Sequence, residues 1–142
     1  MESISGLTPH TISSSPTLQL ILYFSTFLYF FLFPVLAYGA AVKDRIWYFQ
    51  VTSAIIIICE PVRIWLGYRG NLGQGISETL AFLTCGIFPI IPAAFILMTG
   101  GAELIGGEWA VLILLVIFTF LGCILSIKLT SSILAKRKSV TL

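Results

Sequence analysis

The chain has 142 residues, of which 58% are apolar and only 10% charged, with a formal net charge of +2. That balance excludes a disordered chain, argues against an ordinary soluble domain, and leaves room for one small domain. The charge is too weak, and too clustered at the C-terminal end, to point to a nucleic-acid partner.

Residues 1–17 are polar, rich in Ser, Thr and Pro, and carry no Lys or Arg, so they lack the basic start of a secretory signal. The apolar run at 18–38 is long enough to cross a hydrocarbon core of about 30 Å, which predicts a first transmembrane helix bent near its outer end by Pro34. Lys43-Asp44-Arg45 makes a short connection. Trp47-Tyr48-Phe49 opens a second span at 47–68 with rings of the interfacial type, and Trp65 and Tyr68 close it. Arg69 to Ser77 then connects to a third span at 79–99. In that connection Gly70 reads as a left-handed helix stop with Asn71 bonding back to the turn, and Ser77 as an N-cap. Pro89 and Pro92 predict a kink or local unwinding in the third span. After a connection that ends at Glu108, Trp109 opens a fourth span at 109–129. The domain at 18–134 is followed by a short basic tail at 135–142. The expectation is an all-α membrane protein, a bundle of four transmembrane helices.

Orientation follows from Lys and Arg alone. One side carries Arg69, Lys128, Lys136, Arg137 and Lys138, and the other only Lys43 and Arg45. Both termini are therefore expected in the cytoplasm.

Little in the chain can carry chemistry. His10 is the sole histidine and has no partner motif. Cys59, Cys85 and Cys123 lie in apolar runs at spacings that fit packing residues rather than zinc or a disulfide framework. No cofactor or metal site is expected. Asn71 is the only asparagine, and Leu72-Gly73 after it rules out a glycosylation acceptor. The informative feature is Glu60 with Arg63 inside the second span. They are three residues apart, so they can meet one helical turn apart. Ser53, Ile56 and Gly67 fall on the same stripe, which reads as a seam facing other helices. Pro61 removes the bond to the carbonyl of Ile57, which some other group must satisfy. Arg63 lies about 9 Å along the axis from Arg69, so its head is within snorkelling range of the headgroups.

An intramembrane acid is a functional hypothesis by default. A small proton- or ion-coupled transporter would use Glu60 that way. Against it, a permanently charged arginine beside the acid holds the carboxylate ionised, which favours structural pairing. Lys136-Arg137-Lys138 offers a contact to anionic lipid, at about 1 kcal/mol per basic residue near the surface, or a topology signal alone.

From Glu60 to Leu72 the chain resembles the Transmembrane protein 17 / Transmembrane protein 216 family. That family has a Glu-x-x-Arg-Leu-x-x-Gly-x-x-Gly-Asn-Leu signature at the end of its second span. Glu60, Arg63, Gly67, Gly70, Asn71 and Leu72 match it, and Ile64 stands for the leucine. Ser77-Glu78-Thr79-Leu80 is similar to the family's Pro-Glu-Leu, and Ser15 to Gln19 with Leu22-Tyr23-Phe24 to its Leu-Pro-Leu-Gln and Leu-Tyr-Phe. The likeness covers about Ser15 to Lys138 and is closest to the Transmembrane protein 17 branch. Pro61 and Gln74-Gly75 depart from the pattern, which bears on loop contacts more than on the fold. The resemblance implies a non-enzymatic membrane subunit of the ciliary transition zone. There the family belongs to the Meckel syndrome (B9) complex with tectonic, meckelin and B9-domain proteins, limits membrane diffusion into the cilium and supports cilium assembly. It also implies that Glu60, Arg63, Gly67, Gly70 and Asn71 act in packing rather than in catalysis.

Overall fold

Hydrocarbon offers the backbone no hydrogen-bond partner, so each apolar run must satisfy its own amides by coiling into a helix. The computed structural model describes residues 14–42, 47–73, 75–100, 104 and 106–140, with Lys138 the only described side chain within 136–140. Four helices are long and apolar enough to cross a membrane. His10, the Lys43-Asp44-Arg45 connection and Gln74 lie outside the described residues.

Helix α1 spans Pro16–Ala41 and starts where its sequence dictates. Ser15 is the N-cap, its hydroxyl accepting the Leu18 amide at 3.3 Å, and Pro16 takes the first helical position, where no amide is needed. Its buried side is Leu18, Leu22, Ser25, Leu28, Leu32, Leu36 and Gly39, a three-to-four-residue spacing that makes one stripe. Helix α2 spans Trp47–Gly73 without interruption and buries a matching stripe that includes Ser53, Ile56, Glu60, Arg63, Gly67, Gly70 and Asn71.

Two expectations fail at the end of α2. Gly70 is no helix stop; it is helical and buried inside the last turns, and the chain turns only after Gly73. Asn71 does not bond back to a turn, because the turn lies beyond it. A third expectation fails nearby: Gly75, not Ser77, is the N-cap of α3, which spans Ile76–Cys85. Ser77 lies inside that helix and donates to Glu78 Oε2 at 2.7 Å.

The irregularity expected at Pro89 and Pro92 takes the form of a π-helical turn, Gly86–Ile90, between α3 and α4 (Ile91–Thr99). Pro89 and Pro92 have no amide to give, and the Ile91 amide reaches back five residues to the Gly86 carbonyl. Helix α5 spans Gly106–Val140. Its 35 residues make about 52 Å, more than the hydrocarbon needs, so the backbone stays helical well past the span expected to end near 129. Glu108 sits in its first turn, where a carboxylate complements the helix dipole, rather than in the preceding connection.

The helices pack as an up-down-up-down bundle. Helix α1 lies between α2 and α5, and the broken third span closes the ring by packing on both of them. Ser15 meets Asn71 and Tyr29 meets Ile57, so α1 and α2 run antiparallel; Phe24 stacks on Phe118 and Gly39 lies on Glu108, so α1 and α5 do too. The described N- and C-terminal ends therefore emerge on the same face. Phe30, Phe31, Phe88, Phe95 and Phe120 point outward, a lipid-facing surface that water would not tolerate.

The interior falls into two apolar clusters. One joins Leu32, Leu36, Phe49, Ile56, Ala94, Leu97 and Leu112, and the other Leu18, Leu22, Phe82, Leu129 and Ile133. Between them lies a layer with a different chemistry.

Candidate functional site

Along each helix the residues between the two clusters are polar or small: Ser25 on α1, Glu60 and Arg63 on α2, Gly86 in the π turn, Thr119 and Gly122 on α5. Arg63 and Glu60 are buried completely, at 0% and 1% exposure, which few charged pairs reach. The three-residue spacing on α2 lets them meet as a bidentate fork. Arg63 Nε donates to Glu60 Oε2 at 2.8 Å and Nη2 to Oε1 at 2.5 Å. Both carboxylate oxygens are thereby engaged.

Arg63 does not snorkel. Its guanidinium turns inward, under the Phe82 ring with 5.0 Å to the centroid, a cation–π contact between buried groups. Glycines on two other elements border it. A methyl added at Gly122, on the helix diagonal to α2, would lie 3.6 Å from Arg63 Nη1 and 3.1 Å from Phe82 Cζ. A methyl at Gly86 would meet Thr119 Cγ2 and Cys123 Sγ, each at 3.1 Å, with Arg63 Cδ at 3.7 Å. Arg63 Nη1, Ser25 Oγ and Thr119 Oγ1 are buried with no protein hydrogen-bond partner among the described residues.

Pro61, beside the pair, leaves the Ile57 carbonyl without its helical amide. Tyr29 of α1 supplies the substitute, its hydroxyl donating to that oxygen at 3.1 Å. The helix thus passes through proline with no orphaned carbonyl at that turn.

The rest of the signature works at helix crossings. A methyl at Gly67 would lie 2.6 Å from Leu22 Cδ2 and 2.9 Å from Phe82 Cδ2, so α1 and α3 both press on this position. At Gly70 it would lie 2.6 Å from Thr79 Oγ1 and 2.9 Å from the Thr79 backbone nitrogen, so α2 and α3 touch backbone to backbone. Asn71 reaches the start of α1: its Oδ1 accepts the Ser15 amide at 2.8 Å and its Nδ2 donates to the Ser15 carbonyl at 3.1 Å. Glu60, Arg63, Gly67, Gly70 and Asn71 thus line one face of α2, each against a neighbour. Lys136 and Arg137 have no described side chains, and Lys138 lies exposed on the last turns of α5. Arg69 stacks on Trp65 with 4.9 Å to its ring, at the interfacial end of α2.

Sequence reasoning missed Tyr29, Gly86, Thr119 and Gly122. A proline in a helix announces that a donor is needed, but which residue on which neighbour depends on register between helices. Among the described residues no group of three His, Cys, Asp or Glu side chains lies close enough to hold a metal ion.

Four apolar spans, a sealed ion pair and crossings made by glycine define a small multi-pass membrane protein. A family model described as a predicted membrane protein, Transmemb_17, matches residues 17–119. The chain is also 30% identical over 104 residues to Transmembrane protein 17B of Xenopus tropicalis, a match that covers 68% of this chain and 47% of that protein. The chain belongs to the Transmembrane protein 17 family. It spans about half the length of the curated relative it matches. No solved structure matches it.

Proposed function

We propose that this chain is a non-enzymatic structural subunit of the ciliary transition zone. In that role it helps form the barrier to membrane diffusion and supports cilium assembly, as the resemblance to its family implies. Both termini face the cytoplasm, the side on which Arg69, Lys128 and residues 136–138 place the excess of basic charge. Its partners are other transition-zone membrane proteins, of the tectonic, meckelin and B9-domain kinds, met along the lipid-facing helix surfaces or at the cytoplasmic face.

The observation that carries a structural rather than a transporting role is the state of Glu60. A proton-coupled carrier needs an acid that meets water and sheds its partner in turn. Here both carboxylate oxygens are engaged by Arg63, an arginine that stays charged, at 1% exposure.

The test is a tagged chain expressed in ciliated cells, imaged against markers of the cilium base and affinity-purified. A band at the base with transition-zone proteins recovered is the expected result. Uniform plasma-membrane staining, or a proton-driven flux in reconstituted vesicles abolished by Glu60→Gln, overturns it. Glycosylation tags at each end test the orientation, and a glycosylated tag at either end refutes it.

A further inference from the structure

One groove on the bundle surface is neither filled by the described residues nor purely apolar. It lies between the start of α1 and the outer part of α5, encloses about 230 Å³, and is lined by Ser14, Thr17, Leu125, Lys128, Leu129 and Ser132, with the N-cap Ser15 at its edge. Its polarity is graded along the membrane normal. Helix α5 runs outward here, so Leu125 lies deepest, Leu129 one turn above it, and Ser132 about 10 Å above Leu125. Ser14 lies on the shallow side of α1. The deep end is thus leucine, and the shallow end is hydroxyl and ammonium.

The polar groups at the shallow end have no side-chain partner among the described residues. Lys128 has an exposed side chain and no acidic partner among the described residues. The hydroxyls of Ser14, Thr17 and Ser132 make no hydrogen bond to the described chain either. Ser15, by contrast, is occupied: its amide and carbonyl bind Asn71 and its hydroxyl caps Leu18. A cation and three hydroxyls, arranged above a leucine floor, match the order of phosphate, glycerol ester and acyl chain in a phospholipid. A soluble phosphate would have no use for the floor.

We propose that this groove is a lipid-binding site that takes the phosphate headgroup of an anionic glycerophospholipid, with Lys128 as its cation and the hydroxyls of Ser14, Thr17 and Ser132 as donors. It is separate from the basic triplet at 136–138, which begins about 12 Å farther along α5. One ammonium against a lipid phosphate makes a charge-assisted contact whose loss weakens binding about five- to tenfold.

The test uses the full chain in phosphatidylcholine nanodiscs, with thermal unfolding followed by tryptophan fluorescence and bound lipid counted by native mass spectrometry. Phosphatidylglycerol should raise the midpoint saturably, with one lipid retained, in the wild type, in Lys128→Arg and in the variant with Lys136, Arg137 and Lys138 all changed to Gln. In Lys128→Gln the half-saturating phosphatidylglycerol fraction should rise five- to tenfold, and Ser132→Phe, which fills the groove, should remove the retained lipid. Both variants should match the wild-type midpoint in phosphatidylcholine alone. An unchanged response in both Lys128→Gln and Ser132→Phe overturns the site. A response lost only in the triplet variant moves the lipid contact to the tail and overturns it as well. Equal stabilisation by millimolar inorganic phosphate would make this a soluble-anion site and refute the lipid assignment.

Discussion

Neutralising one member of the central pair should harm the protein more than neutralising both. Glu60→Gln leaves a guanidinium at 0% exposure with its fork half-answered, and Arg63→Gln leaves a carboxylate at 1% exposure with no cation. Breaking a buried pair from one side costs about 3–5 kcal/mol in soluble proteins. A lone charge at mid-helix adds about 2.5–3.5 kcal/mol to insertion. The double change, Glu60→Gln with Arg63→Gln, removes both charges and leaves two amides able to bond each other. What is lost is then a pair of charge-assisted bonds against neutral ones, about 1–2 kcal/mol. The single effects therefore do not add, and the cycle should show a coupling of several kcal/mol.

The assay is denaturation in mixed micelles, read from Trp47, Trp65 and Trp109. An Arg63→Gln variant as stable as the double variant would refute the reasoning.

Tyr29→Phe should cost about 1–3 kcal/mol because it orphans the Ile57 carbonyl, yet cost little in a Pro61→Ala background, where the amide of residue 61 can serve that oxygen. Equal cost in both backgrounds, by the same denaturation assay, would mean the hydroxyl does not answer the proline. Gly70→Ala should destabilise by about 1–3 kcal/mol, since its methyl meets the Thr79 backbone, while Gly73→Ala, with nothing within 4 Å, should be neutral or gain a few tenths. Asn71→Ala should remove two bonds to Ser15 and speed amide exchange at the start of α1 while leaving the middle of α2 protected. Uniform exchange would show instead that the whole bundle had loosened.

What could be read from the sequence divides along a physical line. Features contained within one helix were legible: four spans from apolar length, the Glu60–Arg63 encounter from its three-residue spacing, and the carbonyl freed by Pro61. Features that depend on a neighbouring helix were not. For Arg63 the sequence left snorkelling within reach, because it gives only distance along the axis; the inward turn under Phe82 depends on a neighbouring element. Gly70 was misread for a related reason. The missing Cβ serves a left-handed turn or a close crossing equally well, and the Thr79 backbone settles which. Asn71 beside it looked like turn chemistry, but its amide is used across 56 residues to hold Ser15.

The central layer also answers a problem of register. In a bilayer, apolar helix faces gain nothing by leaving lipid for each other, so two leucine-rich clusters alone would fix the offset between helices only through packing detail. The Glu60–Arg63 fork does not itself link two helices; both partners ride on α2 and stay satisfied if α2 slides. What resists a change of offset is the layer around the fork. Gly86, Gly122 and the Phe82 ring border the guanidinium at this height. A slip of one turn, about 5.4 Å, would press the guanidinium against the apolar clusters on either side. Tyr29 and Asn71 are pinned to the same offset from α1, one at Ile57 and the other at Ser15. Register is thus set at three heights by polar groups, each tied to an irregularity that a uniformly apolar helix would lack: a proline, a buried charge pair and a helix start.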